Sequence, residues 1–234
     1  TLDGGSGNDS MSGGMGNDTF MLSAAGDVLI ELAGQGIDTV ITVVSHVLAE
    51  NFENLTLSGT SGLMGTGNAA SNILTGNGGA NRLTGLGGHD ALTGGAGADT
   101  LIGGLDSDTL IGGDGSDTFV FAKDSGDIGG ITGDVIKDFN FGKNGGVQAD
   151  TISLYQLFDS RLVSQLGKGA VNDASTLSSY VKLEWTKLDN NLQMVCSVDQ
   201  TGNSNFSKLF TMTDLIHSVG DGNFNQNQVD QTRL

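Results

Sequence analysis

Read as apolar and polar positions, the first 120 residues carry neither a helical stripe nor a long buried run. One large apolar residue recurs between small or polar neighbours, at Met11, Phe20, Leu29, Leu74, Leu83, Leu92, Leu101, Leu110 and Phe119. The intervals are nine residues or a multiple of nine. An isolated apolar residue with polar neighbours predicts a short strand that turns one side chain inward. The glycine-rich segments between, such as GGAGAD (94–99), predict sharp turns. Two nonapeptides then make one coil with a strand on each side, and strands 18 residues apart stack in parallel. The predicted fold is all-β: a right-handed parallel nonapeptide solenoid.

The polar positions keep the same phase. An acid or amide falls at Asp9, Asp18, Asp27, Asn54, Asn72, Asn81, Asp90, Asp99, Asp108 and Asp117, each a multiple of nine. Residues 31–66 are degenerate yet return to phase, which predicts that the coil runs through them without metal. In that stretch Val40, Val43, Val47, Leu55 and Leu57 are expected to supply apolar packing in the metal's place. Asp38, in AGQGIDTVI, lies two residues out of phase and marks a local bulge or slip.

Stacking at the inter-strand spacing of about 4.8 Å brings carboxylates together. The expected pairs are Asp90 with Asp108, Asp99 with Asp117, Asn72 with Asp90, and Asn81 with Asp99; Asp9 with Asp27 is a poorer pair. Such stacks repel unless a hard cation lies between them. Turn carbonyls from Gly76, Gly78, Gly85, Gly87, Gly94, Gly95, Gly97, Gly103, Gly112 and Gly115 would complete its shell. An all-oxygen, irregular set of ligands suits calcium, which takes 6–8 oxygens at about 2.3–2.6 Å. Zinc prefers nitrogen or sulfur, and magnesium demands a strict octahedron. Several calcium ions are therefore expected, concentrated between Asn72 and Asp117.

Composition supports this picture. The chain has 39 glycines, no proline and a formal net charge of −17. Glycine without proline fits tight turns joined by strands whose backbone donors are all in use. The charge argues against nucleic acid or an anionic membrane as partner. Cys196 is the sole cysteine, so no internal disulfide forms. No apolar run is long enough to span a membrane. The chain opens at Thr1-Leu2-Asp3, the tail of a repeat, and is expected to be a piece of a longer protein.

GGAGADTLIGG and its neighbours resemble the RTX (repeats-in-toxin) β-roll, over about residues 1–121. The segment 36–77 resembles a linker that recurs between good repeats of such proteins. DTFVF (117–121), DVIKDFNFG (134–142) and ADTISLYQLF (149–158) resemble the C-terminal target region of type I secretion substrates. The resemblance implies one-step export by type I secretion machinery, folding outside the cell when calcium is met, and a secreted or cell-surface location. Two departures stand out. Asp106 replaces a turn glycine, and asparagine replaces aspartate at 54, 72 and 81, which predicts weak or empty sites there.

Beyond residue 121 the nonapeptide ends. The region 122–234 is expected to form a small strand-rich cap with one or two short helices, carrying the secretion signal. SLYQLFDSRLVSQL (153–166) has a helical apolar face, YVKLEWTKL (180–188) and NLQMVCSVD (191–199) alternate as a hairpin, and KLFTM (208–212) reads as a third strand. Thr213 is positioned to cap a short helix over 214–219. Asp134, Asp138 and Asp150 could hold one further calcium at the junction. GTGNAA (65–70) fits a loose dinucleotide pattern but lies inside the repeat phase. HExxH and GxSxG are absent, and His46, His89 and His217 have no motif partners. The expected function is a non-catalytic, monomeric, calcium-dependent folding and secretion module of a surface adhesin. The alternative is the same module behind a metalloprotease, lipase or polysaccharide-modifying enzyme.

Overall fold

A computed structural model describes residues 1–121, 134–140 and 149–153 in full, and the backbone of three further strands within 181–212. The expected helices over 153–166 and 214–219 lie outside the described residues, apart from Ser153, which is in a strand. Strands are numbered along the chain. One sheet stacks β1 (Leu2–Asp3), β3 (Thr19–Leu22), β5 (Thr39–Thr42), β7 (Asn54–Leu57), β9 (Ile73–Thr75), β11 (Ala91–Ala96), β13 (Thr109–Asp114) and β15 (Asp134–Ile136), in that order and all parallel. The facing sheet stacks β6 (His46–Val47), β8 (Met64–Thr66), β10 (Arg82–Leu86), β12 (Thr100–Gly104), β14 (Thr118–Val120) and β16 (Thr151–Ser153). A separate pair, β2 (Ser10–Ser12) and β4 (Val28–Ile30), covers the first coils on that side. The described residues up to 153 thus form an all-β parallel solenoid.

The core is one file of apolar residues per sheet. In the first sheet the register aligns Leu2, Phe20, Val40, Leu55, Leu74, Leu92, Leu110 and Ile136. In the second it aligns Gly65, Leu83, Leu101, Phe119 and Ile152. Most of these are fully buried. Each fully buried leucine contributes roughly 1.5–3 kcal/mol. Since a coil of eighteen residues holds only two such positions, the apolar core is thin.

The degenerate stretch does carry the coil, unbroken on one side and with one break on the other. β3, β5, β7 and β9 are continuous, whereas β4 and β6 belong to different sheets. Two of the five residues expected to fill its core point outward: Val43 is 51% and Val47 63% exposed. His46 pairs with Gly65 and so takes the inward position, which puts Val47 outside and Leu48 inside. Phe52, also buried, packs edge-on against Phe20 with ring centroids 5.3 Å apart.

Parallel stacking continues after the nonapeptide ends. β15 and β16 extend both sheets past residue 121. The first sheet then adds β19 (Ser207–Met212), parallel to β15, followed by the antiparallel strands β18 (Asn191–Val198) and β17 (Val181–Leu188). The expected hairpin and third strand are present. The hairpin register sets Leu183 opposite Cys196 and Trp185 opposite Met194.

Candidate metal centre

Immediately before each inward strand lies the acid position, and stacking turns these positions into two rows. Along one row, Asp90 N–H donates to Asp108 Oδ1 at 2.7 Å, and Asp108 N–H donates to Asp134 Oδ1 at 2.8 Å. Asn72 N–H donates to Asp90 Oδ1 at 2.7 Å. Along the other, Asn81 N–H reaches Asp99 Oδ1, Asp99 N–H reaches Asp117 Oδ1 and Asp117 N–H reaches Asp150 Oδ1, at 2.7, 2.9 and 2.9 Å. At the start of the chain Asp9 N–H donates to Asp27 Oδ1 at 3.1 Å. One oxygen of each stacked carboxylate thus holds the preceding coil in register.

The second oxygen has a different environment. Oδ2 of Asp9, Asp27, Asp38, Asp90, Asp99 and Asp117 is buried and receives no hydrogen bond. Leaving a buried carboxylate oxygen unsatisfied is costly, so this pattern marks places where a cation belongs. At Asp9, Asp90, Asp99 and Asp117 the glycine five residues earlier adjoins this oxygen. A Cβ on Gly94 would lie 2.5 Å from Asp99 Oδ2 and 2.6 Å from the Gly112 carbonyl one coil on. Gly85 meets Asp90 Oδ2 and the Gly103 carbonyl in the same way, and Gly103 and Gly112 adjoin Asp108 and Asp117. Gly95, Gly97, Gly104, Gly113 and Gly115 have positive φ, between 95° and 146°. Where glycine is replaced, Asp106 still adopts φ 72°, at a strain cost of about 1–2 kcal/mol.

The spaces beside Gly85 and Gly94 therefore hold a carboxylate oxygen and a backbone carbonyl oxygen, a hard-oxygen set that fits calcium. No group of three or more His, Cys, Asp or Glu side chains is placed to hold a metal among the described residues. Carbonyls must supply much of any coordination shell.

Asparagine rows work differently. Asn72 Nδ2 donates to the Phe52 and Glu53 carbonyls at 3.1 and 3.3 Å, and Asn81 Nδ2 donates to the Asn77 side chain at 3.1 Å and to the Gly79 carbonyl. Asn68 Nδ2 bonds the Ala49 and Phe52 carbonyls, and Asn77 Nδ2 those of Ser58 and Ser61. The amide groups satisfy carbonyls that a cation would otherwise bridge. Amide bonding as well as apolar packing therefore holds the middle coils together.

Other expected positions shift. Asn54 is not in the acid row: it opens β7, and Glu53 takes the position instead. Asp38 also belongs to the row, because Asp18 N–H donates to Asp38 Oδ1 and Asp38 N–H to Glu53 Oε2, both at 2.7 Å. Spacings of 20, 15 and 19 residues from Asp18 to Asn72 together equal three coils of 18, which explains the recovered phase. Of the three junction acids, Asp134 extends the row of Asp108, whereas Asp138 and Asp150 both act on the charge of Asp117 in the other row. Asp138 also accepts the Gly112 and Gly113 amides at 2.9 and 2.7 Å, while Asp150 Oδ2 accepts the Asn140 amide at 2.7 Å. Gly78 and Gly87 face open or loosely filled space. His89 is exposed and shares hydrogen bonds with the Ser107 backbone.

Burial raises the Asp90 carboxyl to about 7, aided by the Asp108 and Asp106 charges and opposed by the Asn72 amide. Burial likewise raises Asp117 to about 6, with Asp150, Asp99 and Asp138 adding to it. Asp99 and Asp150 are shifted upward, again chiefly by burial. The unfolded chain releases these protons near pH 3.9. The metal-free coil keeps them longer, so its stability falls as pH rises from about 4 through 7. With calcium present the sign reverses, because protons compete with the metal for the same oxygens. In chelator the strand signal by circular dichroism is expected to be larger at pH 4.5 than at pH 7.5, and in calcium the thermal midpoint is expected to be higher at pH 7.5 than at pH 4.5. Parallel pH profiles in the two conditions would contradict this account.

The repeats match the family described as the RTX calcium-binding nonapeptide repeat, in four copies, over residues 1–29, 66–101 and 93–124. Two curated proteins of Rhizobium meliloti (strain 1021) are similar. Endo-1,3-1,4-beta-glycanase ExsH is 43% identical over 84 residues, covering 32% of this chain and 18% of the relative. Endo-1,3-1,4-beta-glycanase EglC is 44% identical over 64 residues, covering 27% and 14%. The chain spans less than a fifth of the length of either relative.

Proposed function

We propose, from the premise that the repeat region is an RTX calcium-binding β-roll, that this chain is a non-catalytic module through which a larger bacterial protein is exported and then folded by calcium. The observation that carries the reading is the set of buried, unbonded carboxylate oxygens in two stacked rows, those of Asp9, Asp90, Asp99 and Asp117 beside turn glycines. In this reading Asp9, Asp18, Asp27, Asp90, Asp99, Asp108 and Asp117 are ligands, with carbonyls of the glycine turns completing each shell. Asn72 and Asn81 hold calcium weakly or not at all. Residues 1–121 form the calcium-binding β-roll, and 122–234 the cap and type I secretion signal, with a monomeric module delivered to the exterior or the cell surface.

The logic is physical. Low calcium inside the cell leaves the acidic repeats unfolded and able to thread a channel. Calcium outside removes the repulsion and closes the coil. Export of this chain from bacteria carrying a type I transporter is the test. The full chain is expected in the medium and residues 1–121 alone inside the cell; equal retention of both would overturn the secretion reading.

For the parent, the tail's resemblance to adhesin tails supports a surface adhesin. The names of the two similar glycanases favour the second reading, a polysaccharide-acting enzyme carrying the same module. The parent sequence ahead of Thr1 discriminates: tandem immunoglobulin-like repeats support the adhesin, and a catalytic motif supports the enzyme.

A further inference from the structure

Glu31 lies in the stretch that the sequence marks as metal-poor, outside any nonapeptide turn. The residue is nonetheless only 7% exposed, and no side chain donates to its carboxylate; only the Gly13 and Gly14 amides act on it as donors. A solvated acid would not be placed this way. Its surroundings repeat those of the regular sites. A Cβ on Gly13 would lie 2.8 Å from Asp18 Oδ2 and 2.8 Å from Glu31 Oε2. In the regular coils that second contact is a backbone carbonyl: Gly103 beside Gly85, and Gly112 beside Gly94.

The numbering explains the substitution. Gly103 and Gly112 follow their partners by eighteen residues, and Glu31 follows Gly13 by the same interval. The coil from Asp18 to Asp38 has twenty residues, so its own turn, AGQGID (33–38), arrives two residues late. A side chain with a carboxylate end fills the position that the delayed turn leaves. Asp38 is fully buried, and its Oδ2 lacks a hydrogen bond. Asp38 and Asp18 are the acidic charges acting on Glu31.

We propose that Glu31, outside the motif, joins Asp18 as a side-chain ligand of the calcium site between the GGMGND turn and the displaced AGQGID turn, in place of a turn carbonyl and with Asp38 as the neighbouring charge. The site rests on the calcium-module reading above and extends metal binding into residues 31–38. Two oxygens that each lie 2.8 Å from one point are at most 5.6 Å apart, against roughly 5 Å for ligands on opposite sides of one calcium ion. Replacing a carbonyl by a carboxylate adds a negative charge, so this site should bind more tightly than its regular neighbours.

Calorimetric calcium titration of the full chain, with Glu31→Gln and Asp99→Asn variants and chelator-treated wild type as reference, tests the site. E31Q is expected to lose one calcium from the count, or to weaken one site by at least about tenfold, as ligand charge is removed. In chelator the same variant should retain more strand signal by circular dichroism than wild type, because a buried charge beside Asp18 and Asp38 has gone. A purely structural role would not give these opposite signs. If E31Q fails to fold in saturating calcium, Glu31→Asp, which keeps the charge, must restore folding; no rescue overturns the site. Unchanged count and affinity in E31Q, with D99N altered, also overturns it while leaving the calcium module standing. A wild-type chain that takes up no calcium at all refutes the module itself.

Discussion

Chelating calcium is expected to abolish the ordered coil over about residues 67–121. Asp90, Asp99 and Asp117 are 1–3% exposed, and each has one oxygen without a hydrogen bond. An uncompensated buried charge costs about 3–5 kcal/mol, so three of them rival the 5–15 kcal/mol that holds a typical domain together. The apolar core is too thin to offset this, with one large residue per nine. Calcium supplies the difference: about six sites, each with free ion about tenfold above its dissociation constant, contribute roughly 8 kcal/mol. Circular dichroism should lose its strand signal in chelator and regain it on adding calcium in excess. Hydrogen exchange should show the backbone of β10 to β14 losing protection together. A strand signal indifferent to chelator would sink the claim that metal governs this fold.

Replacing Gly94 by alanine should be as damaging as removing a ligand, whereas replacing Gly78 should do almost nothing. Both are turn glycines of the same repeat array. At Gly94 the added methyl would enter the space between Asp99 Oδ2 and the Gly112 carbonyl, at 2.5 and 2.6 Å. Backbone on one side and a register-holding carboxylate on the other leave little room to give. Overpacking of this kind costs about 1–3 kcal/mol, and the lost calcium adds to it. At Gly78 no atom lies within 4 Å of the added methyl, and no positive φ is imposed. The expected change there is within about 0.5 kcal/mol. Calcium-dependent melting temperatures and calorimetric stoichiometry should separate the two variants; equal effects would show that the space beside Asp99 is not a metal site.

The repeat made most of this architecture legible. A period of nine assigns each apolar residue to the core and each aspartate to the edge of a turn. A coil of eighteen then makes residues such as Asp90 and Asp108 neighbours. The sequence could not distinguish the acid row from its near misses where the period lapses. Asn54 kept the count and missed the row, while Asp38 and Glu53 broke the count and joined it. A signal was present: AGQGID has the glycine and aspartate pattern of a metal turn, two residues late. Glu31 offered only its interval of eighteen from Gly13.

The metal rows and the parallel coil were thus determined by sequence alone wherever the nonapeptide is intact, because stacking identical units brings identical positions together. The tertiary structure decided everything in the irregular coils, and which glycines matter. There the register follows from pairing with both neighbouring coils and from burying Phe52 against Phe20, contacts that no local period encodes. Whether a glycine can be replaced depends on what the next coil places beside it. The acid row is therefore longer than its motif, reaching residues such as Asp38 and Glu53 that join it only once the coil is closed.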